Sequence, residues 1–183
     1  EKVKDMDLAM VFLNAGTLIP GRFQNHSDEQ IETIYNMNLL HGVYLCKALM
    51  PQMLARKKRT ALVLTSSFLA VLPAAGLVTY SSSKSGATFF AEALHEEVKD
   101  KIEVLAWNCG STNTKANPFD GGRASCKTVV DGCFRDVGNE SVTFGNVSCE
   151  VMAWILPKLG VAANAKQIMP MAEEKFEEKY KQN

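Results

Sequence analysis

No apolar run reaches the ~18 residues that a membrane-spanning helix needs, and the opening EKVKDMD has no apolar core of a secretory signal. The stretch is therefore expected to be soluble. Nor is there an excess of either charge: 20 Lys and Arg balance 20 Asp and Glu. A neutral chain lacks the basic footprint of a nucleic-acid binder. Five cysteines, Cys46, Cys109, Cys126, Cys133 and Cys149, form no C-x-x-C pair and stand near no His cluster. That pattern excludes a zinc site and a disulfide framework and reads as reduced intracellular thiols, with no metal expected. N-x-S/T triplets at Asn25, Asn139 and Asn146 would matter only in a secreted protein. No repeat, low-complexity linker or break in composition divides the 183 residues, so one domain with a sizeable core is expected over 1–183. The charge clusters ARKKR at 55–59 and EEKFEEKYKQN at 173–183 read as solvated helix ends, with a membrane-surface or partner role as the alternative.

What is present alternates between strand and helix patterns. LAMVFLNAG, Leu8 to Gly16, is a continuous apolar run ending in a turn, the form of a parallel strand buried on both faces. Ser27 to Gln30 gives S-x-x-Q, a capping box, and opens a helical pattern to about Arg56. ALVLT, Ala61 to Thr65, is a second buried strand, followed by a helix from Thr79 to Asp100. A third strand runs from Ile102 to Trp107 and a fourth from Ser141 to Val147. Such alternation implies right-handed βαβ units and an α/β fold with a doubly wound parallel sheet. In these sheets reactive groups gather at the carboxyl ends of the strands. Asn14, Ser67 and the stretch Asn108 to Thr114 fall at such ends, and Tyr80 opens the helix after Ser67.

In TYSSSK, Tyr80 and Lys84 stand four residues apart, on one face of a helix. An ammonium beside a phenol favours the phenolate and would lower the tyrosine's pKa toward the range of a general acid or base. The spacing alone is equally that of a solvated helix surface. A second clue lies in the long helix, whose apolar stripe of Ile31, Ile34, Tyr35, Gly42, Leu45 and Leu49 is interrupted by Asn38. A buried amide needs partners, so Asn38 is either a tie to backbone or a polar group placed for a site.

Asn14-Ala15-Gly16 after a strand, Asn38 in the next helix, Ser67, and Tyr80-x-x-x-Lys84 together resemble the short-chain dehydrogenase/reductase family, with its N-A-G turn and Asn, Ser, Tyr, Lys tetrad. Cys109-Gly110-Ser111-Thr112-Asn113-Thr114 resembles the family's later P-G-x-x-x-T element. The likeness covers most of the chain to about residue 115. Asn36-Met37-Asn38, LPAAGLVTYSSSK and ALHEEVKDK are most similar to the hydroxysteroid dehydrogenase and very-long-chain 3-oxoacyl-CoA reductase branch.

The resemblance implies a Rossmann-like fold and an oxidoreductase that uses NADP or NAD, with NADPH favoured, to interconvert a carbonyl and a secondary alcohol on a lipid, 3-oxoacyl or steroid substrate. It assigns catalysis to Asn38, Ser67, Tyr80 and Lys84. Tyr80 would exchange the proton, Lys84 would lower its pKa and hold the nicotinamide ribose, Ser67 would bond the substrate oxygen, and Asn38 would hold a relay water. Asn14, Ala15, Gly16, Gly110, Thr112 and Thr114 would complete the cofactor contacts. The family also implies a homodimer through helices 27–56 and 79–100, with Ser82, Phe89 and Ala93 on the outward face. An intracellular location is expected: the endoplasmic reticulum membrane, reached through a segment preceding this one, or else the cytoplasm or mitochondrion.

Three departures stand out. Leu13 replaces the first Asn of N-N-A-G, Cys109 replaces the Pro of the P-G turn, and the family's T-G-x-x-x-G-x-G turn, which holds the cofactor pyrophosphate, does not occur. The expectation is a C-terminal part of the fold, with the first strand lying beside strands of a missing half. A truncated pseudo-dehydrogenase serving as a structural subunit is the alternative.

Overall fold

The computed structural model describes residues 3–114, 117 and 124–180. Four parallel strands, β1 (Met10–Leu13), β2 (Thr60–Thr65), β3 (Ile102–Trp107) and β4 (Val142–Thr143), stand in that order across one sheet. Met10 pairs with Ala61, Thr60 with Ile102 and Ala106 with Val142. The central strands β2 and β3 are apolar on both faces, and their successive side chains feed two separate cores. On one face Leu62, Leu64, Val104 and Ala106 pack against Cys46 and Met53 of α2 (His41–Ala55) and Ala91 of α3 (Val78–Val98). On the other, Val63, Leu105 and Trp107 pack against Val129 and Cys133 of α4 (Cys126–Asp136). Helices on both faces make this the doubly wound α/β architecture expected. Two further helices follow β4, α5 (Val147–Ile155) and α6 (Val161–Tyr180).

The expected strand from Leu8 to Gly16 is shorter and more exposed than its apolar run suggested. Among the described residues β1 pairs only with β2, so Met10 and Phe12 remain 38% and 42% exposed. It is an edge strand, and burial on both faces is not met. The fourth strand is confined to Val142–Thr143, because Gly145 at φ 66° turns the chain and Asn146 caps α5, its side chain accepting from Ser148 N.

The helix opening at Ser27 forms with both arms of its capping box, as Ser27 Oγ accepts from Gln30 N and Gln30 Oε1 accepts from Ser27 N. It is not uniform. After α1 (Asp28–Tyr35) comes a π turn, Asn36–Leu40, before α2. The wider turn keeps Ile34, Asn38 and Gly42 on one line at four-residue steps, where 3.6 residues per turn would rotate them apart. It also shifts the inward face beyond it by one position. Cys46 is buried where the stripe predicted Leu45, which is 44% exposed.

Candidate active site

The buried stripe delivers Asn38 to the carboxyl end of the sheet, under the turn that leaves β1. Its Oδ1 accepts from Thr17 N at 2.8 Å, and its Nδ2 donates to Thr17 O at 2.9 Å and Ser83 Oγ at 3.0 Å. Both amide protons and the oxygen thus have protein partners, and Asn38 clamps the turn to α3. A Cβ on Gly16 would stand 3.0 Å from Asn38 Oδ1 and 3.2 Å from Lys84 Nζ. Only glycine leaves those two groups in place. Asn14, Ala15 and Gly16 are exposed, and Asn14 Oδ1 accepts from Thr65 Oγ1 at 3.0 Å, which anchors the start of the turn to β2.

Lys84 is only 4% exposed, and its Nζ donates to the Thr65 carbonyl at 2.9 Å. No carboxylate pairs with it among the described residues. Burial disfavours the ammonium and lowers its pKa to about 8, with the Cys109 thiol acting in the opposite direction. The ammonium lies 5.9 Å from the centroid of the Tyr80 ring. For Tyr80 the outcome differs from the expected one: burial raises its pKa, and the neighbouring Ser67 hydroxyl, not Lys84, is what pulls it back. The phenol is therefore protonated at neutral pH. Ser67 sits at the end of β2, 7% exposed, where its Oγ accepts from Leu69 N at 3.2 Å and caps the short helix Phe68–Ala70.

Behind Lys84 lies a buried polar chain. Ser66 Oγ donates to the Lys84 carbonyl at 2.8 Å, and Thr88 Oγ1 stands 2.8 Å from Ser66 Oγ and 2.7 Å from Asn108 Oδ1. Asn108 is fully buried, its N–H held by Thr143 O at 2.7 Å. These groups join β2, α3, β3 and β4 beneath the site. Thr88, Thr17 and the Thr65 carbonyl were not singled out from sequence, and Ser83, expected among the small residues of a subunit interface, is instead fully buried against Asn38. The one available signal was a run of small hydroxyl residues along the inward side of α3.

The loop after β3 contributes less than its motif promised. Cys109 O accepts from Phe68 N at 2.9 Å, and its Sγ lies 3.2 Å from Thr112 Oγ1. Burial raises the thiol's pKa. Thr112 Oγ1 donates to Gly110 O at 2.9 Å and Thr114 N to Thr112 O at 2.9 Å. Gly110 is needed for close approach, since a Cβ there would meet Cys149 Sγ at 2.5 Å. Asn38, Lys84, Tyr80, Ser67 and the Asn14–Gly16 turn are thus brought together. Gly110, Thr112 and exposed Thr114 are bonded mainly within their own loop.

The residues present fit the ribose end of a nicotinamide cofactor. Lys84 Nζ has three protons and one acceptor, and beside it the bare Gly16 backbone is open. The pyrophosphate end has no counterpart motif in the sequence.

Residues 2–120 match the family model described as short chain dehydrogenase. A very-long-chain 3-oxoacyl-CoA reductase of Homo sapiens is 28% identical over 148 residues, which is 79% of this chain and 47% of that protein. The enzyme of that name from Macaca fascicularis is 28% identical over 136 residues, 72% of this chain and 43% of its own. The chain spans less than half the length of these curated relatives. Among solved structures, a short chain dehydrogenase from Burkholderia cenocepacia in complex with NADP superposes with a TM-score of 0.76 at 17% identity, covering 89% of this chain and 72% of that one. Another from Sphingobium yanoikuyae in complex with NADPH gives 0.73 at 22% identity, covering 90% and 68%. These two likenesses carry the fold. The tetrad is gathered at one end of a doubly wound sheet and the family model spans well over half of the sequence: the chain belongs to the short-chain dehydrogenase family.

Proposed function

We propose that the protein is an NAD(P)(H)-dependent oxidoreductase that interconverts a carbonyl and a secondary alcohol on a lipid, with a 3-oxoacyl thioester as the substrate class. The observation that carries this reading is the convergence of Ser67, Tyr80 and Lys84 beside the open Asn14–Gly16 turn. Likeness to very-long-chain 3-oxoacyl-CoA reductases supports the substrate class, and structural neighbours bound to NADP and NADPH support the cofactor.

The cofactor, when bound, supplies the hydride. The chain's own part is proton handling and orientation. Tyr80, kept neutral by burial, gives its phenolic proton to the substrate oxygen during reduction. Ser67 donates a hydrogen bond to the same oxygen as charge develops there. Lys84 holds ribose hydroxyls with the donors that Thr65 leaves open. Asn38 keeps Thr17 and Ser83 fixed around Lys84, with the relay water as its further role.

The protein is also inferred to pair with a second copy through α1, α2 and α3. Phe89 is 75% exposed on the outer face of α3 with Ser82 and Ala93, while Phe90 packs partly into the core. A groove between α2 and α3 is lined by Val43, Lys47, Met50, Leu54, Phe90 and Leu94. An intracellular setting, with the endoplasmic reticulum favoured by the likeness to the reductases, suits five cysteines that are all free thiols.

The test is fluorescence titration with NADPH and NADH, followed by reduction of a 3-oxoacyl-CoA with wild type and Tyr80→Phe. Binding with turnover that the variant loses supports the enzyme. Failure to bind either cofactor counts against the enzyme and for the structural-subunit reading.

A further inference from the structure

The segment following β4 presents an apolar surface that the proposed chemistry does not use. Neither α5 nor the short helix that continues it, Leu156–Leu159, contains a buried residue. Val147, Val151, Met152, Trp154, Ile155 and Leu159 are all exposed, Trp154 to 68%. Val147, Val151, Ile155 and Leu159 recur at four-residue steps, which sets them along one stripe. The inner side fastens the segment to the molecule, with Cys149 Sγ seated against Gly110 and Glu150 3.5 Å from Arg135. Isolated surface apolar residues are ordinary, but a contiguous stripe marks a contact.

The charges around the stripe indicate what it contacts. Lys158 Nζ lies 3.2 Å from the centroid of the Trp154 ring. An ammonium resting on an indole at the end of an aliphatic stripe is the arrangement of side chains whose bodies enter an apolar layer while their tips remain in a polar one. Glu150 is the one acid from Val147 to Gly160, and it is paired with Arg135. Lys158 has no acidic partner among the described residues, so the stripe's single uncompensated charge is positive. Anionic headgroups attract that sign. A protein partner would call for roughly one hydrogen bond per 100–200 Å², and the aliphatic side chains of the stripe offer none. The stripe lies on the segment that follows β4, the edge strand opposite β1 among the described residues.

We propose that α5 and the Leu156–Leu159 turn dock on the surface of an anionic phospholipid bilayer. The stripe enters the acyl boundary, and Trp154 and Lys158 stay at its polar edge. Because Cys149 bears on Gly110, the docked helix would hold the loop after β3 close to the lipid surface.

Vesicle sedimentation reads this without turnover, so its failure leaves the oxidoreductase reading untouched. With phosphatidylcholine vesicles containing phosphatidylserine, the protein is expected to co-sediment and Trp154 emission to shift to the blue, while Trp107 is already buried. Val151→Glu with Ile155→Glu is expected to reduce partitioning by about tenfold or more at an unchanged melting temperature, since both side chains are exposed. Trp154→Ala gives a second reading should that pair disturb folding, and Lys158→Glu is expected to remove the preference for phosphatidylserine over phosphatidylcholine alone. Wild type remaining in the supernatant with both vesicles would overturn the proposal, as would variants that sediment like wild type. So would a lipid-free dimer that the double variant converts to monomer, because the stripe would then be a contact between copies.

Discussion

The corner around Lys84 and the loop from Gly110 to Thr114 meet at one site and are built differently. At the first, each polar group is bonded to a different element: Asn38 to Thr17 and Ser83, Lys84 to Thr65, Ser66 to the Lys84 carbonyl. In the second, Thr112 bonds Gly110 and Thr114 bonds Thr112, all within a few residues. Cross-element bonds fix side chains to the precision that proton transfer needs, whereas the loop is held outward chiefly through its backbone, Asn113 N and Ser111 O pairing with Ala124. The proposed reaction centre is thus set by side-chain bonds between elements, and the loop beside it by backbone pairing.

The largest effect that would sharpen this contrast is Tyr80→Phe. It removes one hydroxyl from a preformed corner, so carbonyl reduction should fall by ~10²-fold or more while the melting curve stays put. Retention of a tenth of the wild-type rate would remove Tyr80 from its role.

Lys84→Met comes next, and its sign is opposite for function and stability. The folded pKa of about 8 lies below the ordinary 10.5, so between those values the unfolded chain binds more protons and wild-type stability rises with pH. Below pH 8 the cost of burying the ammonium is fully present, about 3 kcal/mol for that shift. Losing the bond to Thr65 returns about 1 kcal/mol. The variant should therefore be about 2 kcal/mol more stable at pH 7 in urea unfolding, lack the rise from pH 8 to 10, and bind cofactor poorly. A variant less stable at pH 7 would show that Lys84 holds the corner together.

Asn38→Leu is expected to destabilise by about 1–3 kcal/mol, since it leaves the Thr17 N–H and carbonyl without partners. If activity survives that loss, Asn38 is a clamp and carries no relay water. Thr112→Ala should be smallest, about 1 kcal/mol and with kcat nearly unchanged, because the contacts it deletes, to Gly110 O and Cys109 Sγ, are local. A large fall in kcat would place the loop inside the rigid corner.

The order of strands and helices was legible because β2 and β3 carry the apolar runs Ala61–Leu64 and Val104–Trp107 and Ser27 carries its capping partner three residues on. The tetrad was legible because each member stands at a fixed place relative to those elements. The π turn was not, since a stripe drawn at 3.6 residues per turn has no way to show an added residue; that is why Leu45 was placed inward and Cys46 was missed. Burial of Tyr80 and Lys84 is a tertiary property. From spacing alone the ammonium seemed the stronger influence on the phenol, whereas the structure makes desolvation the larger effect. The Thr88 to Asn108 chain joins residues twenty apart and left no pattern to read.

A sheet whose neighbouring strands are all parallel also sets the order in which the chain can assemble. β1 finds β2, β2 finds β3 and β3 finds β4 only after an intervening crossover has closed, and in three of three pairings the partner is made later than the strand it joins. Loop-closure entropy must be met before any pairing is rewarded, which makes folding slow relative to a helical bundle of this size. On the ribosome, Met10 and Phe12 emerge before Ala61 and Val63, the residues that they pair with, so the β1–β2 pairing waits for the crossover through α1 and α2.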